Sequence, residues 1–247
     1  MNLTVLGCSG SVPGPDSPSS GYVVEHEGFR VVMDLGPGAA GPLLDAAATA
    51  RPHVDAVLIS HLHADHCLDL VSLATALRYG RHQAVTPTPV YGPAGIRDRI
   101  LTAYGYDPGI DELYDFIEDD VPTELGPFAV QWATMNHPVP TRGFRLTAGA
   151  RSLTYSADTG ECPALVSLAE GSDVLLCEAS YAPGDPIVPD LHLTGRDAGS
   201  HAARAGVGRL LITHVPPWSS REVAVAEARA IYAGPVEAVT AGATYDI

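Results

Sequence analysis

The chain has 247 residues, 46% of them hydrophobic and 17% charged, and its 29 acidic side chains outnumber 14 basic ones for a formal charge of -15. That is the composition of a globular chain long enough to bury a sizeable core, as one large domain or two small ones. It argues against a grip on long nucleic acid, since no basic cluster is present to neutralise phosphates, and no run approaches the ~18 apolar residues of a membrane span.

Leu3–Gly7 predicts a first strand, followed by a Gly/Pro/Ser loop from Gly10 to Ser20. Strands near Tyr22–His26 and Phe29–Met33 flank the turn Glu27-Gly28, with Asp34 where the second one ends. Ala39–Ala50 reads as an Ala/Leu-rich helix. Ala56–Ile59, apolar and bounded by polar residues, reads as a buried strand. Helices are expected over Leu68–Tyr79 and near Ile96–Tyr104, with a Thr/Pro-rich strand approach between them. The acidic stretch from Gly105 to Pro122 reads as irregular, and Gly105–Val121 as a lid or dimer-contact insertion.

In the second half, strands are predicted at Phe128–Thr134, Gly143–Thr147 and Ser152–Ser156, a helix at Pro163–Ala169, and a buried strand at Asp173–Cys177. Thr194 with Asp197 three residues on starts a helix that Gly206 closes. Leu210–Ile212 is a strand, and Ser219 or Ser220 caps a last helix ending before Gly234-Pro235. The order suggests two similar β-rich halves with helices outside, packed sheet on sheet as one αββα domain over residues 1–247.

Cys8, Cys67, Cys162 and Cys177 show no CxxC spacing, which fits buried thiols in a reducing compartment better than a disulfide framework. With no Lys or Arg before Cys8 and no apolar stretch of signal-peptide length, a cytoplasmic protein is expected.

The sharpest chemical feature is His61-Leu62-His63-Ala64-Asp65-His66, directly after the strand predicted at Ala56–Ile59. Three imidazoles and a carboxylate in six residues suit borderline divalent metals. In extended chain His61 and His63 point the same way and can face one ion, and the following turn can bring Asp65 and His66 to a second. Further candidates stand at other strand ends: His137 in Asn136-His137-Pro138, Asp158 in Ala157-Asp158-Thr159, and His214 in Thr213-His214-Val215. Singly, each reads as a structural histidine or a turn aspartate. Together with the histidine run they form a specific pattern. His26, His53, His82 and His201 lie outside it and read as surface or helix residues, Cys67 as a buried helix-start residue, and Tyr104, Tyr106 and Tyr181 as packing residues.

The pattern resembles the metallo-β-lactamase superfamily over essentially the whole chain, which implies the α/β fold with its four-layer αββα sandwich. By that resemblance Asp34 supports the site. His61, His63 and His137 would bind a first ion, and Asp65, His66 and His214 a second, with Asp158 bridging. A bridging Asp, where true lactamases place a cysteine, suits two ions roughly 3.5–4 Å apart and hence phosphate esters. Asp190-Leu191-His192-Leu193-Thr194-Gly195, with Glu178 in Cys177-Glu178-Ala179-Ser180, resembles ribonuclease Z-like phosphodiesterases. There the His and Glu deliver a proton to the leaving oxygen and an aspartate matching Asp65 orients the attacking group. Leu6-Gly7-Cys8-Ser9-Gly10-Ser11, Gly14-Pro15-Asp16-Ser17-Pro18, Leu58–Leu70 and Thr213–Glu222 are most similar to the atypical class II cyclic-nucleotide phosphodiesterases of bacteria.

The expectation is therefore a phosphodiesterase hydrolysing 3′,5′-cyclic nucleotides, cyclic AMP foremost, to 5′-monophosphates. It would use two divalent ions, with zinc first and manganese or iron as alternatives, and the resemblance implies a homodimer. A tRNA 3′-processing nuclease, a thioester or lactone hydrolase, and a metal-bound protein without catalysis stand as the other readings.

Overall fold

A computed structural model describes residues 1–46, 54–80 and 86–247. Among the described residues fourteen strands form two seven-stranded mixed sheets. The first contains β1 (Asn2–Gly7), β2 (Gly21–His26), β3 (Phe29–Leu35), β4 (Ala56–Leu58), β5 (Thr88–Gly92) and β6 (Tyr114–Glu118). The second contains β7 (Glu124–Leu125), β8 (Phe128–Thr134), β9 (Arg142–Ala148), β10 (Arg151–Tyr155), β11 (Val174–Glu178), β12 (Arg209–Thr213) and β13 (Val236–Ala238). In each half a meander of antiparallel strands, β1-β2-β3 and β7-β8-β9-β10, continues into three parallel ones, β4-β5-β6 and β11-β12-β13. The halves are similar in topology, as the element order suggested. The last strand, β14 (Thr244–Asp246), returns to pair with β1 and joins the C-terminal end of the chain to the first sheet.

The layers follow from the side-chain alternation of strands. Leu3, Val5, Tyr22, Val24, Val31, Met33 and Leu58 meet Phe144, Leu146, Leu153, Tyr155, Leu176 and Leu211 in one core between the sheets. Their sequence neighbours point outward. Leu6, Val23, Val32, Val57 and Ile59 pack under α1 (Ala40–Ala46), α3 (Leu70–Tyr79) and α4 (Ile96–Ala103). Leu175, Cys177, Leu210 and Ile212 pack under α5 (Pro163–Leu168), α6 (Gly195–Ala205) and α7 (Arg221–Arg229). Strands buried on both faces must be apolar throughout, which is why Ala56–Ile59 and Val174–Cys177 are continuous apolar runs.

Several expectations are corrected. The stretch from Gly105 to Pro122 is not irregular: it holds a 3-10 turn at Pro108–Glu112 and β6, which pairs in parallel with β5 as the edge of the first sheet. The helix expected to Ala50 is described to Ala46, and its remainder, with His53 and His82, lies outside the described residues. A four-residue helix, α2 (Ala64–Cys67), precedes α3, so Cys67 ends a helix where a start was expected, and it is buried. His201 lies on α6 as a buried residue. Its Nδ1–H donates to the Asp197 carbonyl at 2.8 Å, and its Nε2 accepts from the Cys162 amide at 3.1 Å. All four cysteines are buried and free. No helix among the described residues is long and apolar enough to cross a membrane.

Candidate metal centre

Most of the residues singled out for chemistry lie at or just beyond the C-terminal end of a strand, while Asp65 and His66 lie on α2 and His192 on the loop before α6. Asp34 ends β3, His61 follows β4, His137 follows β8, Asp158 follows β10, Glu178 ends β11 and His214 follows β12. Strands β8, β10, β11 and β12 run in the same direction, so their carboxyl ends share one edge of the sandwich. Strand ends of this kind release the chain into loops while the sheet stays rigid, and ligands collect there. The turns are tight: Asp34, Ala157 and His214 all hold left-handed backbone, at φ 56°, 52° and 54°. Non-glycine residues avoid that region unless surrounding structure enforces it, and such strain gathers at functional sites.

Among the described residues three groups of ligand-type atoms meet here, two of them sharing Asp158: His61, His63, His137 and Asp158; Asp65, His66, Asp158 and His214; and Glu178, His192 and His214. In the first, His61 Nε2 lies 3.0 Å from His63 Nδ1, and His137 Nε2 lies 3.2 Å from the same atom. Asp158 Oδ2 stands 3.8 Å from His61 Nε2. In the second, His66 Nε2 and His214 Nε2 are 3.2 Å apart. Asp158 Oδ1 is 3.3 and 3.4 Å from those two nitrogens, and Asp65 Oδ2 is 3.2 Å from His214 Nε2. Nitrogens held about 2.0–2.1 Å from one tetrahedral ion sit about 3.3 Å apart. Asp158 Oδ1 is buried without a hydrogen-bond partner, a costly state for a carboxylate oxygen unless a cation satisfies it. Spacing, donor chemistry and the orphaned oxygen all fit bound divalent metal.

The far nitrogens of His137, His66 and His61 are fixed, which is what metal-binding imidazoles require. His137 Nδ1–H donates to the Leu191 carbonyl at 2.9 Å. His66 Nδ1–H donates to Asp34 Oδ2 at 2.8 Å. His61 Nδ1 meets Ser60 Oγ at 3.0 Å. Asp34 also accepts from the Ser60 amide at 2.7 Å, the Ser60 hydroxyl at 2.7 Å and the Tyr155 hydroxyl at 2.8 Å. Fully buried, it supports the centre from below without facing it.

The electrostatics point the same way. Burial opposes the charge on Asp158, yet His214, His66 and His61 hold its carboxyl well below the usual carboxylate range. Burial likewise disfavours imidazolium at His66, but Asp158 and Asp34 push it well above the ordinary histidine value. A pocket that draws protons onto a buried imidazole is one that demands positive charge. His61, His63 and His137 move down instead, chiefly through burial, and so remain neutral donors.

His192 stands beside both groups that share Asp158, its ring centroid 5.7 Å from that of His137 and 5.6 Å from that of His214. Its Nδ1–H donates to Glu178 Oε1 at 3.0 Å. Burial lowers its pKa, but the Glu178 carboxylate, with Asp158 and Asp65, outweighs this and pushes it up to about 9. The ring is delivered by the loop from Ala182 to Leu191. A capping box anchors that loop two residues on: Thr194 Oγ1 accepts from the Asp197 amide at 3.1 Å, and Asp197 Oδ2 accepts from the Thr194 amide at 3.0 Å. Tyr181 lies edge-on to His192, with ring centroids 5.7 Å apart, and its hydroxyl accepts from the Val188 amide at 3.1 Å. Tyr106 is exposed, and Tyr104 lies under the Arg78 guanidinium.

All nine site residues named from the sequence, Asp65, Glu178 and His192 together with His61, His63, His66, His137, Asp158 and His214, converge in this pocket. Sequence reasoning missed the support given by Ser60, Tyr155, Ser180 and the Thr159 amide. Ser60 adjoins His61 and is open to suspicion on that ground. Nothing in the sequence marks Tyr155, whose value depends on β10 facing β3 across the core.

A family model described as a β-lactamase superfamily domain matches residues 29–215. An uncharacterized protein of Mycobacterium leprae is 44% identical over 100% of this chain and 89% of its own length. A ribonuclease Z of Mycobacterium marinum is 30% identical over 88% of this chain and 87% of its own. The crystal structure of the metallo-β-lactamase fold protein YhfI from Bacillus subtilis matches with a TM-score of 0.87 at 26% identity, covering 99% of this chain and 98% of that one. The chain belongs to the metallo-β-lactamase superfamily of metal-dependent hydrolases, with ribonuclease Z and YhfI among its homologues.

Proposed function

We propose that the protein is a two-ion phosphodiesterase acting on small cyclic nucleotides, cyclic AMP foremost, and releasing the 5′-monophosphate. The observation that carries this reading is the position of Asp158 between two ligand groups, with the His192–Glu178 pair alongside. His61, His63, His137 and Asp158 would hold one ion, and Asp65, His66, His214 and Asp158 the other. Zinc suits this imidazole-rich set, and manganese and iron share the same donors. Such a pair supplies water of lowered pKa and neutralises charge on the phosphoryl oxygens.

The chain's own groups do the rest. Glu178 accepts from His192 Nδ1–H, which leaves His192 Nε2 as the atom that passes a proton to the departing 3′ oxygen. The Glu178 carboxylate, hydrogen-bonded at Nδ1, favours the protonated ring and so supports His192 as the proton donor. Asp65, 3.2 Å from His214 Nε2, would orient the attacking group. The formal charge of -15 favours a small anion drawn in locally by bound cations over a long polyanion. We take the protein to work in the cytoplasm, as one domain and as a homodimer.

A second reading, cleavage of precursor tRNA, is favoured by the likeness to ribonuclease Z and opposed by that charge. The test is metal analysis of the purified protein together with turnover of cyclic nucleotides, linear phosphodiesters and a precursor tRNA. Turnover of cyclic AMP with two ions per chain supports the proposal. Cleavage of the tRNA with cyclic nucleotides untouched replaces it with the second reading.

A further inference from the structure

The reaction outlined above employs His192 and Glu178 on one side of the pocket and His214 on the other, and leaves a hydroxyl between them without a role. Ser180, two residues beyond Glu178, is buried. Its Oγ lies 2.8 Å from His214 Nδ1, 2.9 Å from Glu178 Oε2 and 2.9 Å from the His214 carbonyl oxygen. A hydroxyl has one proton to give and two lone pairs to receive with, whereas a carboxylate and a carbonyl only accept. If His214 Nδ1 were also an acceptor, three acceptors would compete for a single proton.

The other side of the ring decides between these arrangements. His214 Nε2 faces Asp65, His66 and Asp158 at 3.2, 3.2 and 3.4 Å, and with a cation held among these groups, as the two-ion reading requires, it is the atom that needs its lone pair free. The proton therefore sits on Nδ1 and is donated to Ser180 Oγ. The hydroxyl proton then goes to Glu178 Oε2, the charged and stronger acceptor. Glu178 collects four hydrogen bonds in all: from the Thr159 amide at 2.8 Å, His192 Nδ1–H at 3.0 Å, the Ser180 amide at 3.2 Å and the Ser180 hydroxyl at 2.9 Å. One buried carboxylate thus touches the backbone next to Asp158, the proton-donating histidine and, through Ser180, a ligand-group histidine.

We propose that Ser180 is a positioning residue that fixes the Nδ1-protonated tautomer of His214 and aims its Nε2 at the Asp65–His66–Asp158 group. Glu178 then supports cation binding as well as His192. This rests on the two-ion reading, and the experiment separates the two. Wild-type protein, Ser180→Ala, Ser180→Thr and His192→Ala are prepared metal-free and titrated with zinc against a chromophoric chelator. The His214 tautomer is read from imidazole nitrogen shifts in the zinc-loaded wild type.

The expected result is two binding steps in wild type, with one weakened about 10–100-fold in Ser180→Ala, the usual effect of losing a partner behind a metal-binding histidine. Ser180→Thr, which keeps the hydroxyl, restores that step, and His192→Ala leaves both unchanged. Two unaltered steps in Ser180→Ala overturn the role of Ser180 alone, as does equal weakening of both. An Nε2-protonated His214 in wild type overturns it whether or not the variants fold. Wild-type protein that binds no zinc overturns the two-ion reading as well.

Discussion

Asp34→Asn keeps the shape of a buried side chain and removes its ability to accept on both oxygens. Oδ1 accepts from the Ser60 amide, and Oδ2 accepts from the Ser60 hydroxyl, the Tyr155 hydroxyl and His66 Nδ1–H. An amide with its oxygen toward the Ser60 amide turns its NH2 toward the other three donors. The two hydroxyls can rotate and accept, but the ring N–H of His66 cannot. Relief comes only if the His66 proton moves to Nε2, the atom 3.2 Å from His214 Nε2 and 3.3 Å from Asp158 Oδ1, which then ceases to be a ligand. Hydrogen bonds to a charged group contribute about 1.5–3 kcal/mol each. Amide contacts recover part of that, so the metal-free variant should lose about 2–4 kcal/mol in urea unfolding. Affinity for one ion, measured by chelator competition, should fall about 10–100-fold while the other step holds. Normal affinity for both ions would refute the tautomer argument even if stability dropped, and unchanged stability would refute the hydrogen-bond accounting.

Asp158→Ala should lose metal and turnover together, because both ligand groups share that carboxylate. His192→Ala should keep metal yet lose about 10²–10⁴-fold in turnover, and full activity would remove His192 from the mechanism. In metal-free protein His192 has a folded pKa of about 9 against an ordinary 6.5. Its stabilisation, at most about 3 kcal/mol, is therefore complete below pH 6.5 and fades as pH rises through 9. Urea midpoints across that range should show the decline in wild type and lose it in Glu178→Gln. A Cβ added at Gly36 would overlap the Asp65 backbone carbonyl, whereas one at Gly41 meets open space. Thermal unfolding should show Gly36→Ala destabilised by about 1–3 kcal/mol or more, with Gly41→Ala near neutral or slightly stabilised.

The sequence by itself determined the strands, because alternating apolar side chains such as Leu3 and Val5 have no other burial open to them. It pointed to metal binding, because three imidazoles and a carboxylate within His61–His66 have few uses besides holding a cation. It left β6, β7, β13 and β14 unread: short edge strands carry little alternation, and their pairing depends on partners elsewhere in the chain. Only the tertiary structure decided what stands behind the ligands. Ser180 reaches His214 because β11 and β12 pair in parallel with Glu178 opposite Thr213, and Tyr155 reaches Asp34 because the two sheets pack face to face. A hydrogen bond has a direction and a reach of about 3 Å, so residue type can nominate a partner, but only register and packing bring it within range.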